Sequence, residues 1–528
     1  MALWTCVRFI SVFVVFSAVT FGDVFVSTET LISCLTRSGV TNVTLRSSSS
    51  SSPNYDSLLK FSLQNLRYAE SNVLKPYALI IPHSKEHVVK SVQCCIQHRW
   101  EMHVRSGGHS YEGLSSTSRN PNFVIIDLME LDGVLVDMRS KTAWVESGAT
   151  VGQLYSAIAD KTARYGFPAG ICPTIGVGGH LSGGGLSLLS RKYGLSADNV
   201  VNALLVDANG NLVDREGMGP DVFWALRGGG GGSWGVVISW KIKLVKLPPK
   251  TTVFNVPYTG RDRINNLLNR WQAVAPSVDE NLYIRAFLFG GNPEVKLAFS
   301  GMFLGSLPKL LQLVNKTFPE MGLVAANCNE TDWIGSMIYT AVSNGYSPEL
   351  RNRFLSTKSY FKIKSDFVTN PISASGFQGV WKIMEEQSNS IMILAPLGGI
   401  MNRIPSTQLP FPHRVGYLYV IQYVLTWNER TKDAQSLSWM QKLYKYTTPY
   451  VSKSPRAAYV NYLDLDLGTT PAINGTSTLE QPNSWGYNYF AENFERLVQV
   501  KNQFDPNNIF RNAQSIPLSI TSTTDSLS

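Results

Sequence analysis

His109 and Cys172 are the two residues whose types and surroundings could do chemistry. His109 is at the centre of V-R-S-G-G-H-S-Y-E-G (residues 104–113), and Cys172 lies near the start of P-A-G-I-C-P-T-I-G-V-G-G-H-L-S-G-G-G (residues 168–185). Glycines at this density let the backbone take positive φ and bring its N–H groups against a ligand. Successive N–H groups in such a turn form a concave nest suited to a diphosphate. An imidazole and a thiol beside that nest are nucleophiles placed to bond a cofactor as well as bind it. Taken singly, a histidine in a glycine turn is an exposed polar residue and a lone cysteine a small buried hydrophobe. The matched contexts favour the chemical reading.

The elements that must position them alternate strand and helix. A-L-I-I-P (78–82) reads as a short buried strand and H-V-V-K-S-V-Q-C-C-I (87–96) as a helix, while E-M-H-V-R (101–105) alternates into the first glycine turn. F-V-I-I-D-L (123–128) and T-A-W-V-E-S-G-A (142–149) are predicted strands, and residues 201–213 a hairpin turning at Asn209–Gly210. R-G-G-G-G-G-S-W-G-V-V-I-S-W (227–240) is a third glycine cluster. Five consecutive glycines are costly to order, so contact with a bound ligand is favoured over a flexible linker. The serine run 47–52 before Pro53 reads as a surface loop. After P-P-K (248–250) the glycine clusters stop, and alternating strands and amphipathic helices continue to about Pro455. Residues 489–500 carry a helix stripe of Phe490, Phe494, Leu497 and Val498, which D-P-N-N-I-F (505–510) ends.

R-S-G-G-H-S-Y-E-G followed by C-P-T-I-G-V-G-G-H resembles the flavin-tethering motifs of the berberine bridge enzyme-like oxidoreductases of plants, which share the vanillyl-alcohol-oxidase type of FAD fold. The resemblance runs from about Leu31 to about Pro517 and includes the tail pattern W-G-x-x-Y-F through D-P-N-N. It implies an α+β chain of two domains: a signal peptide at 1–22, an FAD-binding domain at 23–250 with its PCMH-type core at about 74–249, and a substrate-binding domain at 251–454 built on an antiparallel sheet. A C-terminal segment at 455–520 would complete the FAD domain, leaving a tail at 521–528. FAD would be joined to His109 through its 8α carbon and to Cys172 through C6. The cofactor-binding set implied is Arg105, Ser106, Gly107, Gly108, Ser110, Gly148, Gly176, Gly178, Gly179, His180, Gly235 and Val237. Tyr489 takes the position of a catalytic base, with Gln422 and Tyr111 completing the site. Ile175 takes the position of the residue that gates oxygen near the flavin, and its size leans towards a dehydrogenase. The electron acceptor would be molecular oxygen or another oxidant, and no metal is implied.

Two departures from the family pattern concern proton transfer. Relatives place a charged side chain two residues before the glutamine of the strand after F-P-H-R, where this chain has Val420. An apolar neighbour disfavours a phenolate, whose reference pKa is already about 10. Many relatives carry tyrosine after the last glycine triplet, where this chain has Leu186. Both changes make the expected pocket more apolar, favouring an aromatic or prenylated molecule over a sugar. The leading reading is an FAD-linked oxidoreductase taking a hydride from a CH–OH or activated C–H carbon. The alternatives are a non-redox cyclase using FAD as a scaffold and a non-catalytic secreted glycoprotein.

Composition and compartment agree. Residues 9–21 form an apolar run too short to span a bilayer, so 1–22 reads as a secretory leader, with the cell exterior or wall as destination and the vacuole as the alternative. Sequons at Asn42, Asn315, Asn329 and Asn474 fit that route. At 528 residues and 44% hydrophobic content the chain can bury a large core. The net charge of +9 is scattered, with no basic run or nucleic-acid module, so a nucleic-acid partner is not expected. A small-molecule substrate and a monomer are. Cys34 and Cys94 match the positions of the family's disulfide, with Cys95 as rival partner, and Cys328 is expected to be a free buried thiol.

Overall fold

The computed structural model describes residues 28–46, 53–291, 294–355, 358–470 and 485–519. The leader read at 1–22, the serine run, the Asn474 sequon and the tail at 521–528 lie outside the described residues.

The first part of the chain builds two small sheets. Four strands lie in the order Val43–Leu45, Ala78–Ile80, Phe123–Asp127, Glu101–Arg105, with the last three parallel. Their crossover is the helix Lys85–Gln97, started by the Ser84 hydroxyl, which accepts the His87 N–H at 3.2 Å. Val88, Val92 and Cys95 lie on one face of that helix and are fully buried. Five antiparallel strands follow in the order Val134–Asp137, Thr142–Glu146, Val236–Lys243, Val200–Val206, Leu212–Val213. The expected hairpin is its edge, with Gly210 at φ +76° in the turn.

At Thr251 the chain enters a seven-stranded antiparallel sheet ordered Cys328–Thr331, Thr251–Tyr258, Lys296–Phe303, Leu282–Phe289, Ser390–Pro396, Tyr419–Trp427, Tyr360–Val368. Alternation decides what each face meets. Leu282, Ile284, Ala286 and Leu288 join a core with Trp271, Trp381 and Trp439 from the helices Arg261–Val274, Ala374–Met384 and Asp433–Thr447. Tyr283, Phe367 and Val420 point the other way and share a core with Val177, Leu181 and Tyr489. The second face of the large sheet is therefore packed against the glycine-rich segments.

The chain then returns. The expected single helix over 489–500 is two, Trp485–Phe490 and Asn493–Phe504, because Ala491 takes φ +43° between them. Phe494, Leu497 and Val498 are buried as the stripe requires. Asp505 ends the second helix, its carboxylate accepting the Ile509 and Phe510 N–H groups and pairing with buried Lys501 at 2.7 Å. Cys34 and Cys94 form the disulfide, and Cys95 is a free buried thiol. Cys328 is free but only half-buried, because it sits on an edge strand. Asn315 and Asn329 are exposed, and Asn42 is partly so. No helix among the described residues is long and apolar enough to cross a membrane.

Candidate active site

The two glycine-rich turns touch. Arg105 ends its strand with its guanidinium bound to Asp127 and to the Leu58 and Leu59 carbonyls, which fixes where the turn begins. A Cβ on Gly107 would lie 2.2 Å from the Gly176 nitrogen, and one on Gly108, at φ +68°, 1.5 Å from the Ser62 carbonyl oxygen. Only glycine permits this approach. Among the described residues, the N–H groups of Gly107, Gly108, His109 and Ser110 donate to no protein acceptor. The Ser147 hydroxyl beside them, against Gly178, is buried with no partner among the described residues. Gly179 lies exposed, with open space where its Cβ would be. Four consecutive free donors, an orphaned hydroxyl and an open glycine fit a bound diphosphate group.

His109 and Cys172 flank this nest. The Thr174 hydroxyl sits 3.0 Å from His109 Nε2, joining the two turns and leaving Nδ1 without a partner among the described residues. Burial, with the Lys358 charge behind it, pushes the imidazole pKa down to about 4. His109 is thus a neutral nucleophile at ordinary pH. Burial pushes the Cys172 thiol up, opposed by Tyr346, whose hydroxyl donates to Sγ at 2.9 Å, and by Arg285. Ile175 donates its N–H to the Cys172 carbonyl at 3.3 Å, and its own carbonyl accepts the Val151 N–H.

Across from the turns, Gln422 and Val420 occupy alternate positions of the strand Tyr419–Trp427, on the face away from the helices. Gln422 Nε2 donates to the Tyr111 hydroxyl at 3.0 Å. Tyr111 stacks on Tyr462 at 5.8 Å and 23°, with Phe361 edge-on at 5.7 Å. The Tyr462 hydroxyl has no hydrogen bond among the described residues, and its electrostatic neighbours include Tyr111 and Cys172. Tyr459, three residues earlier, accepts the Gly185 and Leu186 N–H groups at 2.9 and 3.1 Å and so fixes the segment in which Leu186 replaces a tyrosine.

Tyr489 does not join this group. Its ring is 2% exposed in the core, and its hydroxyl accepts the Asp464 N–H at 2.9 Å and faces Gln514 at 3.3 Å. Burial and the Asp464 carboxylate hold its pKa well above the ordinary phenol value, and burial raises Tyr111 and Tyr462 too; what sets Tyr489 apart is that its hydroxyl is already engaged. It instead braces the segment carrying Tyr462, the residue that sequence reasoning missed. A signal was present in Y-V-N-Y-L-D-L-D, where tyrosines precede acids, but its value depends on a partner far away in the chain. Lys362 contacts Glu112 and Asp464, and Lys364 contacts Asp464 and Asp466, all but Asp466 being deeply buried. Burial opposes the Lys362 ammonium, yet Glu112, Asp464 and Asp466 outweigh it and hold its pKa above the usual lysine value. Glu112 follows Tyr111 and Asp464 lies two past Tyr462, so this cluster sets their stack.

Several expected cofactor residues are engaged by the protein. His180 Nε2 meets the Gly170 N–H and the Ser196 hydroxyl, supporting the Cys172 segment from behind. Ser106 donates to the Ser147 carbonyl, and the Ser110 hydroxyl accepts the Leu114 N–H. Gly148 and Gly235 allow close approach to the Leu128 and Val206 carbonyls, and Val237 is buried in the core. The five-glycine run packs against Ser182 and the C-terminal segment, with Gly229 against Leu497 and Gly232 against Asn512.

Comparison with known proteins accords with this geometry. A family described as FAD binding domain matches residues 76–215, and one described as Berberine and berberine like matches residues 458–517. Berberine bridge enzyme-like D-2 of Nicotiana tabacum is 44% identical over 516 residues, covering 93% of this chain and 91% of its own. Monolignol oxidoreductase AtBBE-like 13 of Arabidopsis thaliana is 45% identical over 470 residues, covering 87% of each. A crystallised berberine bridge enzyme variant in complex with (S)-reticuline matches with a TM-score of 0.89 and 42% identity, over 93% of this chain and 99% of that one. With both family segments present and relatives similar over nearly its whole length, this chain belongs to the berberine bridge enzyme-like family of FAD-linked oxidoreductases.

Proposed function

We propose that this enzyme holds FAD by two bonds, from His109 and from Cys172, and oxidises a CH–OH or activated C–H of a phenolic, alkaloid-type or carbohydrate small molecule. The observation that carries the reading is the meeting of a neutral imidazole and a thiol on two turns joined by the Thr174–His109 contact at 3.0 Å, beside four unpaired N–H groups. Thr174 occupies Nε2 and so reserves Nδ1 for the bond to the cofactor. The flavin, when bound, accepts a hydride at N5. The chain's own part is to orient the substrate and take its proton. The Tyr111 hydroxyl, held by Gln422, and the unpartnered Tyr462 hydroxyl are the groups for that task. Ile175 guards the oxygen path and leans the enzyme towards an acceptor other than dioxygen. The leader at 1–22 and the exposed sequons at Asn315 and Asn329 support secretion to the cell exterior or the vacuole.

Anaerobic mixing of the purified protein with a panel of monolignols, benzylisoquinoline-type amines and oligosaccharides tests the reaction. One of them should bleach the visible flavin band within seconds to minutes. Product formation with an unchanged band would instead assign a cyclase, as the apolar Val420 and Leu186 would suit.

A further inference from the structure

Burial has opposite consequences for His109 and Cys172. It holds the imidazole neutral, the form that bonds, whereas a thiol bonds as its thiolate, the form that burial opposes. The Cys172 sulfur therefore needs a donor. Among the described residues it has one, the Tyr346 hydroxyl, at 2.9 Å from Sγ and 174 residues away in the chain.

Tyr346 follows the helix Trp333–Ser343. Gly345 at φ +80° turns the chain there, and the Tyr346 N–H returns to the Ala341 carbonyl at 3.0 Å. The residues after Tyr346 are fastened to the helix Val151–Ala159 and to the loop before it. A Cβ on Gly152 would lie 1.9 Å from the Leu350 carbonyl oxygen and 2.9 Å from the Pro173 side chain, so all three meet at the Cys172 turn. Arg351 pairs with Asp160, and Arg353 donates to the Met129 carbonyl at 3.1 Å and lies 3.6 Å from Asp132. Leu350 is 5% exposed, in the core it shares with Val177 and Leu181. Residues 346–353 are thus a strap held against the Cys172 turn at several points. The Tyr346 hydroxyl makes no other hydrogen bond among the described residues.

A hydroxyl donating to sulfur fixes the side chain in one orientation and favours the ionised form over the neutral one. We propose that Tyr346 is the positioning residue for the bond between Cys172 and the flavin, donating to Sγ as the thiol proton leaves and the sulfur attacks C6. This assignment deepens the double-tether reading above and rests on it. Attachment breaks the S–H bond and the C6–H bond of the cofactor and makes the S–C6 bond. The two protons and two electrons released go to a two-electron acceptor, dioxygen becoming hydrogen peroxide or a quinone its hydroquinone. The bond to His109 draws on no donor from the strap, so it forms without Tyr346.

The test compares the wild-type chain with Tyr346→Phe, both expressed under riboflavin limitation and loaded with FAD in air. Samples taken at intervals are digested, and the peptides holding His109 and Cys172 are read by mass spectrometry. Wild type should give both peptides joined through one flavin. Tyr346→Phe should give flavin on the His109 peptide and an alkylatable thiol at Cys172, the second bond forming at least about 10-fold more slowly at neutral pH, the worth of one hydrogen bond to a charged group. Raising the pH to about 9 should restore attachment in the variant in step with the thiolate fraction, whereas a merely displaced sulfur would stay unlinked. Tyr346→Met removes the donor with a side chain that adapts to the space, and serves if the phenylalanine variant does not fold. Linkage of Cys172 at the wild-type rate in a donor-free variant would overturn the assignment, as would a deficit that alkaline pH leaves unchanged. Wild type with flavin on His109 alone would overturn the double tether itself, a result distinct from either of those.

Discussion

Replacing Lys362 with methionine should loosen the joint that aligns Tyr111 with Tyr462. The ammonium touches Glu112 and lies 2.7 Å from Asp464 and 3.2 Å from Asp466, with Glu112 and Asp464 only 3% and 2% exposed. Methionine keeps the apolar stem, so the loss is chiefly electrostatic. Truncating one partner of a buried pair costs about 3–5 kcal/mol. Lys364 still serves Asp464 and Asp466, which leaves Glu112 with the Tyr68 hydroxyl and Arg67 at 4.0 Å and points to the lower end, about 3 kcal/mol. The raised folded pKa of Lys362 contributes stability throughout the range below its ordinary value, so the deficit should be present in full at neutral pH. Urea unfolding followed by tryptophan fluorescence at neutral pH measures it, and turnover at saturating substrate should fall alongside. A deficit below about 1 kcal/mol at neutral pH with full turnover would refute the role given to this cluster.

Tyr462→Phe should fold with nearly wild-type stability and slow turnover with a changed pH profile. Tyr489→Phe should cost about 1 kcal/mol of stability, the loss of one buried hydrogen bond, and leave the shape of the pH profile unchanged; equilibrium unfolding and pH–rate curves separate the two. Burial lowers His180 to about 4 and His413 to about 3, against an ordinary value near 6.5. Between those limits the unfolded chain binds the protons first, so stability should fall as pH drops from about 6.5 to about 4, by about 3 kcal/mol for His180; denaturant midpoints across that range check it.

What the sequence revealed follows from how local each signal is. The tether loops announce themselves because glycine density, His109 and Cys172 sit within short stretches, and the strand–helix–strand unit around residues 78–128 shows its periodicity directly. The glycine clusters end just before Thr251, where the chain enters the large sheet. Tyr462 and Tyr346 were not legible, because each acquires meaning only from a partner distant in the chain: Tyr462 from Tyr111, and Tyr346 from Cys172. The surroundings of Tyr489 were hidden for the same reason, since a motif position does not reveal that the Asp464 N–H donates to its hydroxyl. The helix over 489–500 broke at Ala491 because a positive φ there lets two short helices pack where a straight one would not. The glycine run 228–232 reads as a ligand loop from composition alone, whereas its contacts with Leu497 and Asn512 show that it also seats the returning C-terminal segment.

The central claim is the doubly tethered flavin, and the most direct measurement is the visible spectrum of the purified protein after acid precipitation, with His109→Ala, Cys172→Ala and the double variant alongside. Yellow colour should remain in the pellet for the wild type and for each single variant, and leave it only when both residues are replaced. Colour released to the supernatant from the wild type, or lost from the pellet in either single variant, would contradict two independent bonds.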